Sequence, residues 1–175
     1  MAAFVFLVKT LISLYLLVVL LRLLLQWVRA DFRNPVARAL VQITSPVLAP
    51  LRRVFPSIGQ VDTASVLLMA ALVMLKVATP TLLMGFGLPP LLPWLRESAT
   101  ELITTVLWIY LVAIFMYALL SMLSGNNYSP AQPLLATLCE PVLQPVRRLI
   151  PPLGGLDLSP LWVIILIQML LILLG

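Results

Sequence analysis

Histidine is missing from the 175-residue chain, and cysteine occurs once. The first absence removes His-ligated zinc and haem, and Ser-His-Asp and Cys-His catalysis. Cys139 alone cannot form an internal disulfide, so it does not report a redox compartment. Charge is scarce: 10% of residues are charged and six are acidic. A soluble domain of this length would carry far more. No glycine-rich phosphate loop occurs. So little polar chemistry predicts a non-enzyme with no cofactor and no metal site.

What is abundant is apolar. Hydrophobic residues make up 62% of the chain, and mean hydropathy is +1.13. Four long runs stand out, at roughly 4–28, 64–84, 99–123 and 159–175. Each approaches the ~20 residues that cross ~30 Å of hydrocarbon, the fourth being short. They are continuous rather than alternating, which predicts four transmembrane helices. The first run is too long and too uncharged at its start for a cleaved signal, so an uncleaved anchor is expected.

The remaining sequence is organised by a repeat. "PVLAPLRRVFPSIGQVD", 46–62, and "PVLQPVRRLIPPLGGLD", 141–157, share nine of seventeen positions without a gap. Chance gives roughly one or two. At the same offset Pro35 falls on Pro130, and the first and second apolar runs fall on the third and fourth. The unit is helix, proline-rich loop, helix, at about 4–84 and again at about 99–175. An even number of crossings per unit gives both copies one orientation, a parallel repeat. One four-helix membrane domain over 1–175 is expected.

Loops 29–62 and 124–158 hold Arg29, Arg33, Arg38, Arg52, Arg53, Arg147 and Arg148; the opposite side offers Arg96 and Lys9. The positive-inside rule then puts both repeat loops in the cytoplasm and both termini outside. The net charge of +5 lies beside apolar runs. It points to anionic lipid headgroups rather than nucleic acid.

Within each loop the prolines read as helix punctuation. Asn34 and Pro35 suit a cap and first residue of a short helix over 34–44. Ser45 and Pro46 suit a second start, with Glu140 and Pro141 in the other copy. Pro50 and Pro145 loosen that first turn, and Pro56 and Pro151 end the segment. Gly59 and Gly154 permit a turn, and Asp62 and Asp157 open the next helix, complementing its dipole. Each loop is thus predicted to be two short interfacial helices. The arginine pairs are open to two readings: ordinary topology with snorkelling, or recognition of anionic lipid or an acidic partner. An Arg–Asp clasp within each unit is compatible with both.

Three basic residues lie inside the runs. Arg22 and Lys9 are expected to snorkel toward opposite interfaces. Lys76 is deeper, and Glu101 is its one obvious acidic partner; otherwise the second helix is shorter and Lys76 sits near the surface.

A membrane helix, Asn-Pro, then Pro-x-x-x-Pro-x-Arg-Arg-x-x-Pro, Gly and Asp before a second helix resembles the YggT family. The resemblance covers essentially the whole chain, and bacterial members often carry two such units. The second copy departs at Ser129, which replaces the asparagine, and at Ser159-Pro160, which replaces Ala64-Ser65. Membership implies a small multi-pass protein of the bacterial inner membrane. It also implies links, in different lineages, to osmotic or ion homeostasis, to membrane cytochrome assembly, and to nucleoid or division phenotypes. Two function classes stay open beside an enzyme. One is a scaffold or assembly factor acting through the loops, with an unknown membrane-protein partner or as a homo-oligomer. The other is a component of an ion or solute transport pathway. Helix interiors offer mainly Lys76, Gln168, Tyr110 and Tyr117 besides Ser and Thr, which is thin for a pore. The balance favours the scaffold.

Overall fold

The computed structural model describes residues 1–57, 62–123, 130–150 and 157–175. Gly59, Pro151 and Gly154 lie outside the described residues. Among those described, every regular element is helical: α1 (Ala2–Trp27), α2 (Pro35–Val54), α3 (Thr63–Leu83), α4 (Leu91–Leu123), α5 (Ala131–Leu149) and α6 (Ser159–Leu174). The chain forms two compact units, one of Met1–Leu23 with Leu40–Thr105, the other of Leu24–Ala39 with Val106–Gly175.

α1, α3 and α4 are long and apolar enough to cross a membrane. α6 has 16 residues, about 24 Å at 1.5 Å per residue, and falls short of a full hydrocarbon thickness. Its buried residues, Ser159, Pro160, Val163 and Ile167, form one stripe, and α6 packs against α5 in the second unit. α4 begins earlier than its apolar run, at Leu91. Pro93 stands in its first turn, where a missing N–H has no helical partner to lose. Beyond α3, Gly85 and Gly87 take left-handed φ values of 81° and 78°, open to glycine at little cost.

The proline loops depart from expectation. Each is one amphipathic helix, not two short ones: α2 runs through Pro46 and Pro50, and α5 through Pro141 and Pro145. Ser45 does not cap a second helix; its Oγ donates to the Val41 carbonyl at 2.6 Å in mid-helix. Each proline deletes one i→i−4 bond. The four-residue spacing places both deletions on one face, and all four prolines are exposed. The freed carbonyls therefore face the surface, where water can satisfy them. The buried face of α2 carries Ala37, Thr44 and Leu48; that of α5 carries Leu134, Leu138, Cys139 and Leu143. Asn34 caps α2 as expected, its Oδ1 accepting from Val36 N at 2.9 Å.

Candidate functional site: two arginine–aspartate clasps

In the first unit, the last turn of α2 carries Arg52 and Arg53. Arg52 forms an ion pair with Asp62, the residue that opens α3. Its Nη2 donates to Oδ2 and its Nε reaches Oδ1 at 3.4 Å. Asp62 is only 3% exposed, while Arg52 is 44% exposed. Ser65 Oγ donates to the same carboxylate at 2.6 Å. Burial alone would raise the Asp62 carboxyl. The bonds from Arg52 and Ser65 outweigh it and hold the group below the usual carboxylate range. Asp62 stands at the N-cap of α3, and its carboxylate serves the Arg52 and Ser65 side chains.

The second unit repeats the device. Arg147 Nε donates to Asp157 Oδ2 at 2.8 Å, and its Nη1 to Glu140 Oε2 at 2.9 Å. Its Nη2 reaches the Tyr117 hydroxyl at 3.4 Å. Burial would lower the Arg147 guanidinium, but the bonds to Tyr117 and Asp157 and the charge of Glu140 push it above its ordinary value. Asp157 Oδ1 accepts from Ser159 N at 2.9 Å, so this carboxylate caps α6 as well as clasping. Against burial, those bonds from Ser159 and Arg147 keep it below the usual range. Glu140 does not open a helix as expected; it sits inside α5 and serves Arg147.

The expectation that each arginine pair faces the headgroups together is therefore divided. Arg52 and Arg147 are drawn back to carboxylates ten residues along the chain. Arg53 and Arg148 are exposed and make no ion pair among the described residues.

The charges inside the runs also resolve. Lys76 Nζ meets Glu101 Oε1 at 2.6 Å between α3 and α4. Pro80, one turn on, has no N–H for the Lys76 carbonyl. Trp94 Nε1 donates to the Met74 carbonyl at 2.9 Å and ties α4 to α3 beside the pair. Arg22 does not snorkel. It is 5% exposed, and its Nη1 donates to Thr44 of α2. In the second unit Asn34 Nδ2 donates to the Pro130 carbonyl at 2.6 Å, joining the entrances of α2 and α5. Thr44, Ser65 and Tyr117 were not singled out as site residues from sequence. Thr44 was findable, since it shares a face with Leu48 and Arg52 at four-residue spacing. No group of metal-ligating side chains occurs among the described residues.

Long apolar helices joined by amphipathic helices that carry paired charges define a helical membrane protein. The chain belongs to the CCB3/YggT family, whose profile matches residues 1–83 and 97–175, segments that bracket the two copies of the repeat. It is 39% identical over 171 residues to an uncharacterized protein of Pseudomonas aeruginosa, covering 95% of this chain and 85% of that one. It is 38% identical over 164 residues to the uncharacterized protein YggT of Escherichia coli K12, covering 93% and 84%. A Vibrio alginolyticus protein is 39% identical over 164 residues, covering 93% and 88%. No solved structure matches.

Proposed function

We propose that the protein is a non-enzymatic scaffold of the bacterial inner membrane. α2 and α5 lie along the cytoplasmic interface, each clasped to the membrane helix that follows it. α6 completes four crossings, and both termini are periplasmic. Arg53 and Arg148 face anionic headgroups, each worth about 1 kcal/mol there. The exposed proline-bearing faces of α2 and α5 are offered to lipid or a membrane-protein partner, and the family resemblance ties such assembly to osmotic or ion stress.

One observation carries this reading: two clasps of the same residue types at the same interval, Arg52–Asp62 and Arg147–Asp157. Each fixes the end of an amphipathic helix to a membrane helix and leaves the neighbouring arginine outside. Vesicle association tests it. Arg53→Gln with Arg148→Gln is expected to weaken binding to phosphatidylglycerol vesicles at least severalfold and in a salt-dependent manner, with insertion unchanged. Parent-like association at low salt would end the headgroup reading. Mild cross-linking in cells then asks for a partner.

The Lys76–Glu101 pair favours a second reading, a component of a transport pathway, because paired charges inside apolar helices mark such routes. Ion flux from the purified protein in liposomes, lost in Glu101→Gln, would establish it over the scaffold.

A further inference from the structure

The first unit buries a positive charge that has no carboxylate of its own among the described residues. Arg22 is buried in α1, and its only hydrogen bond among the described residues is to Thr44. A guanidinium has five N–H donors and does not deprotonate, so Arg22 stays charged, and the Thr44 bond uses one of its donors. Thr44 offers its hydroxyl oxygen as an acceptor, its own proton going to the Leu40 carbonyl at 2.7 Å, but a neutral hydroxyl supplies no countercharge. Arg22 lies within electrostatic reach of Asp62 and Arg52. Asp62, however, is already taken by Arg52 and Ser65. Two cations thus share one carboxylate. On the same face of α1, two turns earlier, the Tyr15 hydroxyl is buried without a hydrogen-bond partner among the described residues, and the charge of Arg22 is felt there. Tyr15 as a whole is only partly covered, so the flank at its ring opens to the surface.

The second unit shows that the fold does not need this cation. The residues corresponding to Tyr15, Arg22 and Thr44 are Tyr110, Tyr117 and Cys139. There a neutral phenol meets the clasp arginine, and no surplus charge is buried. Arg22 is therefore an addition to the shared architecture, placed where a tyrosine suffices structurally.

We propose that Arg22, with the Tyr15 hydroxyl, forms a specific phosphate site in the first unit, which an anionic phospholipid fills. Arg22 is five residues from Trp27, which ends α1 and is exposed, so about 7.5 Å separates it axially from an interfacial anchor. That depth suits a headgroup phosphate, and Tyr15 lies deeper, toward the glycerol esters. The phosphate supplies the missing negative charge and several acceptors in the fork geometry arginine prefers. This site is distinct from the exposed Arg53 and Arg148 of the scaffold reading. It is expected to hold one lipid per chain and to resist salt, because a buried pair is little screened.

Native mass spectrometry of the full chain in detergent tests it, with phosphatidylglycerol, phosphatidylcholine and inorganic phosphate as separate additions. One retained phosphatidylglycerol per chain is expected, bound more tightly than phosphatidylcholine. Arg22→Gln should weaken it at least tenfold and Tyr15→Phe severalfold. Arg53→Gln with Arg148→Gln should leave it unchanged. If Arg22→Gln does not fold, Arg22→Tyr with Thr44→Cys copies the second unit's pair and gives the same readout. Arg22-dependent binding of inorganic phosphate without lipid retention keeps the chemistry and makes the source a soluble phosphate. No binding by the parent, or parent-like retention in a folded Arg22 variant, overturns the site. Loss of vesicle association in the Arg53 and Arg148 variants leaves it standing.

Discussion

Arg147 Nε meets Asp157 Oδ2 at 2.8 Å across ten residues, and Arg52 closes on Asp62 across the same interval. The two clasps are alike in sequence and unlike in burial. Asp62 is 3% exposed and Asp157 38%. Breaking them should therefore cost different amounts. Arg52→Leu strands a buried carboxylate and should destabilise by about 3 kcal/mol, at the low end for a buried pair because Arg52 is half-exposed. Asp62→Asn leaves Arg52, which water can reach, and also takes the one nearby carboxylate from the buried Arg22, and should cost about 1–3 kcal/mol. Arg147→Leu exposes groups already near solvent and should cost under about 1 kcal/mol. Unfolding in detergent, run as a double-mutant cycle on each pair, gives these numbers. Equal costs for Arg52 and Arg147 would refute the asymmetry.

The same carboxylates set the acid limb of stability. Asp62 and Asp157 are held below their unfolded value of about 3.9. A depressed folded value stabilises above the unfolded pKa, and that contribution is lost as pH falls through the folded one. Stability should thus be level from neutral pH to about 5 and drop below about 4. Asp62→Asn should flatten that drop more than Asp157→Asn, since its carboxylate is the more buried. An unchanged acid limb in both variants would mean that other groups control it.

Much of this was legible in the sequence, for physical reasons. Apolar runs, arginine-rich loops and a gapless repeat each follow from a single strong demand: hydrocarbon thickness, headgroup charge, or reuse of one unit. The Asn34 cap and the Lys76–Glu101 pair were legible because Asn-Pro has a local job and a buried lysine needs an acid. The continuous α2 and α5 were not legible. Proline spacing shows where bonds are deleted, but not that all four prolines face outward, where lost bonds cost little. The burial of Arg22 was also hidden, because its partner Thr44 is 22 residues away on another helix.

The Lys76–Glu101 contact should behave as a unit. Lys76 is 16% exposed and Glu101 35% exposed, in helices that face hydrocarbon elsewhere. Lys76→Met alone leaves a carboxylate without its cation and should destabilise by about 1–3 kcal/mol. Lys76→Met with Glu101→Gln removes both charges and should recover most of that loss. Thermal unfolding of the two singles and the double settles the coupling. Additive losses would mean that the contact contributes nothing beyond two separate side chains.

Cys139 makes the topology directly measurable. Burial, with the Glu140 charge beside it, pushes its thiol up to about 12. At pH 8 roughly one molecule in ten thousand carries the reactive thiolate. Cys139 is also fully buried against the core of the second unit. It should therefore resist maleimide in the folded protein and react only after denaturation. Cysteines introduced at Ala2 and Leu173, and separately at Arg38, can then be read against a silent native thiol. With both repeat loops cytoplasmic, an impermeant reagent applied to intact spheroplasts should label the sites at 2 and 173 and spare the one at 38. All three should label once the membrane is opened. The arginine bias of loops 29–62 and 124–158 supplies the expectation. Labelling at 38 with protection of 2 and 173 would invert the molecule, and would place Arg53 and Arg148 on the side where anionic cytoplasmic headgroups are absent. Labelling at only one terminus would instead mean that α6 does not cross, and that a 16-residue apolar helix ends within the bilayer.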